Sequence, residues 1–134
     1  MLRISRPLFD QLLAHLWAVY PEEGCGFLAG KEGRVTAVYP VENHLHSPVT
    51  YEMAPRAQIE TMIAIEEQDL DLVAIFHSHP HSPPVPSETD IIRAYYPDAL
   101  MLIVSLTAPA APRWGIYMVR DGRVTPEILQ IDPD

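Results

Sequence analysis

The chain has 134 residues, 48% of them apolar, and a formal charge of −9 from 9 basic and 18 acidic side chains. This supports one domain with its own core, residues 1–134, and an average field that repels DNA or RNA, so nucleic acid is excluded as an expected partner. Cys25 is the only cysteine, which excludes an internal disulfide and a four-cysteine zinc site; with no signal-peptide h-region and no stretch near the roughly 20 apolar residues that cross a bilayer, a soluble cytoplasmic protein without membrane partners is expected.

Ser5 precedes Leu8, Leu12, Leu13, Leu16 and Val19, which recur at helical spacing. Pro7 suits the first turn of that helix and Pro21 ends it. GCGFLAG, KEG and RVTAVYPV then read as a strand, a tight turn and a second strand. The polar, proline-containing segment from Asn43 to Tyr51 reads as a loop. Pro55 opens a second helix, with Ile59, Met62, Ile63 and Ile65 expected on its buried side.

After Leu70 and Asp71 the run LVAIF has the continuous apolar character of a strand in the middle of a sheet. HSHPHSPPVPSETD is irregular until its last few residues, where Ser87 starts a third helix expected to reach Tyr95 before Pro97 stops it. Three strands follow, Ala99 to Leu106, Arg113 to Val119 and Arg123 to Leu129, the last two joined through the hairpin signal Asp121-Gly122. The order of elements predicts a single α/β domain, a mixed sheet with helices packed on it.

The chemistry concentrates at the carboxyl end of the LVAIF strand. His77 and His79 flank Ser78, and side chains at i and i+2 share one face of a strand, their backbones roughly 7 Å apart. Two imidazoles at that spacing can converge on one zinc ion. Asp90, in the first turn of the next helix, can face back toward them. Two histidines and one aspartate leave a fourth tetrahedral position for water, the arrangement of catalytic zinc. Taken locally, Ser87 with an acid at N3 is also close to a capping box, so helix capping and metal ligation both remain open for Asp90.

The joint spacing H-x-H-x(7)-S-x-x-D after a buried strand, with the proline that follows the second histidine, resembles the signature of the JAMM (MPN-plus) zinc metallopeptidases. Upstream, Pro21-Glu22-Glu23-Gly24-Cys25-Gly26-Phe27-Leu28-Ala29-Gly30 resembles that family's second landmark, an acid ahead of a small-residue strand. The likeness spans nearly the whole chain. It implies a three-layer fold of the cytidine-deaminase-like kind. It also implies His77, His79 and Asp90 as ligands of one catalytic Zn²⁺, Glu23 as general acid/base and Ser87 as oxyanion donor. Of the neighbouring acids only one should reach the metal, because a strand points successive side chains to opposite faces.

The implied activity is that of an isopeptidase: a zinc-activated water hydrolyses the peptide or isopeptide bond after a C-terminal Gly-Gly tail. The chain lacks the insertions of polyubiquitin-selective members, so the resemblance is to the compact prokaryotic branch, and a ubiquitin-like or sulfur-carrier protein is the expected substrate. Asn43 and His81 are candidate substrate contacts. The runner-up is a non-catalytic zinc-binding MPN scaffold, against which the intact Glu23, His77, His79 and Asp90 argue. A zinc deaminase needs a P-C-x-x-C pair that one cysteine cannot supply. Cys25, between two glycines, reads as a small buried residue and not as a nucleophile.

Overall fold

The computed structural model describes residues 1–133. Strand β1 (Leu2–Ser5) leads directly into helix α1 (Arg6–Val19), whose start Ser5 caps by accepting a hydrogen bond from the Leu8 amide at 3.4 Å. Strands β2 (Cys25–Lys31) and β3 (Arg34–Val41) form a hairpin. Its turn residues Glu32 and Gly33 both have positive φ, 50° and 75°, which matches the twist of the flanking strands. Helix α2 (Pro55–Glu67), strand β4 (Asp71–His79) and the short helix α3 (Glu88–Ile92) follow, and then strands β5 (Leu100–Ser105), β6 (Arg113–Arg120), β7 (Arg123–Pro126) and β8 (Leu129–Asp132).

The eight strands make one mixed sheet in the order β7-β6-β5-β4-β2-β3-β1-β8. Strand β4 is interior, antiparallel to β2 on one side and parallel to β5 on the other. Only two residues separate β7, at one edge, from β8, at the other. Three residue steps reach at most about 11 Å, so the sheet has to curl until its edges approach. The Leu2 amide donating to Ile128 O at 2.9 Å and the Glu127 amide donating to Ile116 O at 2.8 Å fix that corner.

Strand alternation divides the core into two layers. Phe9, Leu12 and Leu16 of α1 pack with Leu28, Phe76, Leu102 and Val104 on one face. Phe27, Ala29, Val41, Met53 and Ile65 cluster on the other, beneath α2. Because Phe76 faces α1, its odd-numbered neighbours His77 and His79 face the α2 side. This is the helix–sheet–helix, mixed α/β architecture expected.

Four details depart from the sequence reading. Strands β1 and β8 were not foreseen; each has only four residues and is secured mainly by pairing parallel to the other, from Leu2↔Leu129 to Ser5↔Asp132. The segment read as one strand from Arg123 to Leu129 breaks after Pro126, which has no amide to extend the ladder. Helix α3 stops at Ile92, short of Tyr95. On α2 the inward stripe is half-buried Ala57 and Thr61 with buried Ile65, Thr61 donating back to the Ala57 carbonyl at 2.7 Å. Ile59, Met62 and Ile63, expected inside, are 60%, 38% and 51% exposed: they share a face of the helix, but that face is rotated away from the sheet.

Candidate metal centre

His77 and His79 end β4, both buried, on the face opposite α1. Their Nε2 atoms are 3.2 Å apart, and each lies 3.1 Å from Asp90 Oδ2. Three ligand atoms therefore form a nearly equilateral triangle. A tetrahedral ion with bonds of roughly 2.0–2.1 Å sets its ligand atoms about 3.3 Å apart, so the triangle has the size of one face of a zinc polyhedron. Among the described residues this is the group of three donors that converges in this way.

Asp90 reaches the histidines because of the cap. The Ser87 side chain accepts from the Asp90 amide at 3.1 Å, and Asp90 Oδ2 accepts from the Ser87 amide at 2.9 Å. Helix capping and ligand positioning are thus not alternatives: the capping box aims the same oxygen at the two imidazoles. Burial alone would raise the Asp90 carboxyl, but the imidazoles against it and the Ser87 N–H outweigh burial and hold it well below the usual carboxylate range.

The tautomer of His79 follows from its other nitrogen. Nδ1 lies 2.8 Å from the Pro83 carbonyl, which can only accept, so Nδ1 carries the proton. In the neutral ring Nε2 then presents a lone pair to the centre, as metal-bound histidines usually do. Burial pulls His79 down, yet Asp90, the Pro83 carbonyl and Glu23 together raise it. For His77 burial dominates and lowers it. Its Nδ1 is buried without a partner, and the ring instead lies against Tyr51, centroids 4.7 Å apart at 34°. Two lone-pair nitrogens and an anionic oxygen facing one point repel each other unless a cation or proton joins them. The donor set and spacing fit zinc.

Glu23 approaches through strand register. Strands β2 and β4 pair Cys25 with His77, and the pairing continues outward because the Gly24 amide donates to Ser78 Oγ at 2.8 Å and the Ser78 amide to Gly24 O at 3.0 Å. One step further the same register sets Glu23 beside His79. Glu23 is 4% exposed, and its Oε1 is buried with no hydrogen-bond partner. Burial first, offset in part by His79 and reinforced by Asp90, pushes its carboxyl up to about 8. Glu22 turns the other way: its carboxylate meets exposed His46 Nδ1 at 3.0 Å. Only one acid of the pair enters the site, as alternation requires.

Asn43 is buried and fully engaged. Its amide donates to Glu23 O at 3.0 Å and Thr50 O at 3.1 Å, while Oδ1 accepts from the Leu45 and Glu52 amides at 3.0 and 3.2 Å. It clasps the loop around the backbone of Glu23. His81 is exposed and packs edge-on to Tyr20, centroids 5.8 Å apart, outside the convergent group. Ser87 is exposed beside Asp90, its oxygen accepting in the cap and its hydroxyl proton free to donate. Cys25 is buried, donates to Val41 O at 3.3 Å, and burial together with the charge of Glu23 pushes its thiol up to about 12. That is an inert structural thiol.

Sequence reasoning did not find Ser78; it placed Tyr51, with Glu52 and Met53, in a segment that resembles the family's cleft lining, but not its ring against His77. Ser78 faces away from the His77, His79 and Asp90 group, and its use to extend the ladder depends on a partner fifty-four residues earlier. Tyr51 lies in an irregular loop, where no periodicity says which way a ring points.

Residues 5–117 match the family of prokaryotic homologs of the JAB domain. Over 133 residues the chain is 35% identical to the CysO-cysteine peptidase of Mycobacterium tuberculosis, covering 98% of this chain and 91% of that one. It is 46% identical over 88 residues to the desampylase of Haloferax volcanii, covering 63% of each. The solution structure of a Desulfitobacterium hafniense protein has a TM-score of 0.91 at 30% identity, covering 100% of this chain and 94% of that one. The shared fold covers the whole chain, the His77, His79 and Asp90 group included. The chain belongs to the prokaryotic JAB-domain family, the branch of JAMM/MPN proteins that its His-Ser-His and Ser-x-x-Asp spacing resembles.

Proposed function

We propose that the chain is a zinc-dependent peptidase that hydrolyses the peptide or isopeptide bond after the C-terminal Gly-Gly tail of a small ubiquitin-like or sulfur-carrier protein. The observation that carries this reading is Glu23: a buried carboxyl with an unpartnered oxygen, beside three convergent ligands that leave a fourth position open. The names of two relatives, one a peptidase of CysO-cysteine and the other a desampylase, point the same way.

His77, His79 and Asp90 would hold the ion. When bound, zinc acidifies water to near neutral pH and polarises a carbonyl oxygen. Glu23 accepts the proton as the water oxygen bonds to the scissile carbonyl carbon. It returns that proton to the amine nitrogen as the C–N bond breaks, so water's two hydrogens end on the two products. The raised affinity of Glu23 for a proton suits both halves of this exchange. Ser87 donates its free hydroxyl proton to the carbonyl oxygen as negative charge develops there. The Pro83 carbonyl keeps His79 in its ligating tautomer, and Asn43 holds the backbone that carries Glu23.

Cytoplasmic location is part of this proposal, and the single thiol of Cys25 suits a reducing compartment. Among the described residues no helix is long and apolar enough to cross a membrane. A non-catalytic scaffold has no use for a buried, unpartnered acid whose backbone is held by Asn43 and by its own amide donating to Ser47 O at 2.8 Å, so the hydrolytic reading is preferred. Zinc content together with cleavage of a Gly-Gly-tailed carrier fusion tests it: one zinc per chain and a cut after the second glycine are expected, whereas stoichiometric zinc without cleavage would leave the scaffold.

A further inference from the structure

A cavity of about 380 Å³ opens beside Asp90, lined by residues of α2, α3 and the loops next to them. Half of its lining is aromatic or apolar, Tyr51, Tyr95 and Tyr96 among it, and the other half polar, with Glu52 and Asp90 as its acids and Arg93 as its one cation. Arg93 is the C-cap of α3 and follows Asp90 by three residues, so the two share a side of that helix with Cβ atoms about 5–6 Å apart.

The guanidinium is unspent. Arg3, Arg6, Arg34, Arg56, Arg120 and Lys31 each meet an acid within 4.0 Å; Arg113 and Arg123 meet none among the described residues, but neither lines the cavity. Among the described residues Arg93 has no ion pair and no side-chain hydrogen bond. Glu52 lies in the same lining, but it is not within ion-pair distance of Arg93. Arg93 is exposed at the mouth of this cavity, and an unpaired arginine one turn from Asp90 is a site for a planar anion.

We propose that Arg93 binds the α-carboxylate of the residue on the leaving side of the scissile bond, so that the enzyme prefers conjugates whose leaving group is a single terminal amino acid. This rests on the peptidase reading. A Gly-Gly tail brings no anion of its own. One residue beyond the scissile carbonyl the chain has advanced about 3.8 Å, which suits the one-turn spacing from Asp90 to Arg93. An isopeptide to a lysine side chain puts methylenes at that point instead of a carboxylate.

The test uses zinc-loaded Glu23→Gln protein and a short peptide ending Gly-Gly-Cys, with either a free carboxylate or a carboxamide, titrated by calorimetry. A preference for the carboxylate of about ten-fold or more is expected, typical of a charge-assisted bidentate pair. Adding Arg93→Gln should reduce it to about two-fold, and Arg93→Lys should restore only part of it. No binding of either peptide, no preference, or a preference that survives Arg93→Gln overturns the proposal. Turnover of the same two tails on a carrier by the unsubstituted enzyme keeps the two readings apart. Equal cleavage of both leaves the peptidase standing and removes the role of Arg93. Arg93-dependent binding without any cleavage removes the peptidase and leaves the anion site.

Discussion

Gly24 and Ser78 hold each other through two hydrogen bonds, Gly24 N to Ser78 Oγ at 2.8 Å and Ser78 N to Gly24 O at 3.0 Å, and so extend the β2–β4 ladder past its last paired strand residue. The pair has a chemical consequence. With Ser78 facing away, His77 and His79 face the cavity side together, and Glu23 is carried to the position beside His79. The unpartnered base and the ligand set are thus fixed by the same strand register.

Ser78→Ala should loosen that register without removing a ligand. A buried amide loses its acceptor, which costs about 1–3 kcal/mol. Thermal unfolding should show the loss while zinc content stays at one per chain. Zinc lost from the folded variant would mean that the ligand set itself depends on this pair.

Ser87→Ala separates capping from catalysis. The lost cap should cost about 1 kcal/mol, and Asp90 still accepts from the Ser87 backbone amide, so zinc binding should persist. Loss of an oxyanion donor should lower kcat by about 10²-fold or more. A variant with unchanged kcat would limit Ser87 to the cap.

Asn43→Ala removes five hydrogen bonds to backbone, three given and two taken. A destabilisation of about 2–4 kcal/mol is expected, larger than for a surface loop polar residue, with kcat reduced and zinc retained. Denaturant unfolding beside metal analysis would show this. A change within experimental error would mean that the loop is held by other contacts.

Glu23 also predicts a pH dependence of the metal-free protein. Its carboxyl, near 4.5 when unfolded, is pushed by burial to about 8 in the fold. Between those values the folded state binds the additional proton, so stability falls as pH rises through the window, and it is fully retained only below the unfolded value. Unfolding in a chelator at about pH 5 and about pH 8 should show a steeper fall for the parent than for Glu23→Gln. Equal slopes would contradict this environment for Glu23. Zinc should flatten the parent's slope, because a nearby dication favours the carboxylate.

How legible all this was in the sequence differs by element. The interior strand and its histidines could be read because LVAIF is continuously apolar and i, i+2 spacing fixes a shared face. The hairpins could be read because Glu32-Gly33 and Asp121-Gly122 supply positive φ at both central positions. Strands β1 and β8 could not, since four residues secured largely by a partner over a hundred positions away carry little local signal. Helix α2 misled because a shared apolar face is not yet a buried one. At the site, local spacing left Asp90 between cap and ligand and the resemblance implied the ligand; in the structure its one oxygen accepts in the cap and faces both imidazoles. Asn43, taken as a candidate substrate contact, has every polar group committed to backbone, which no single loop residue announces.

The most direct test compares zinc-loaded parent and Glu23→Gln on one Gly-Gly-tailed carrier fusion, with folding and metal content checked in both. Both proteins should carry one zinc per chain, and the variant should cleave about 10²–10⁴-fold more slowly, the usual loss when a positioned acid/base is removed. A Glu23→Gln protein that is folded, holds zinc and still cleaves at the parent's rate would contradict the account at its centre.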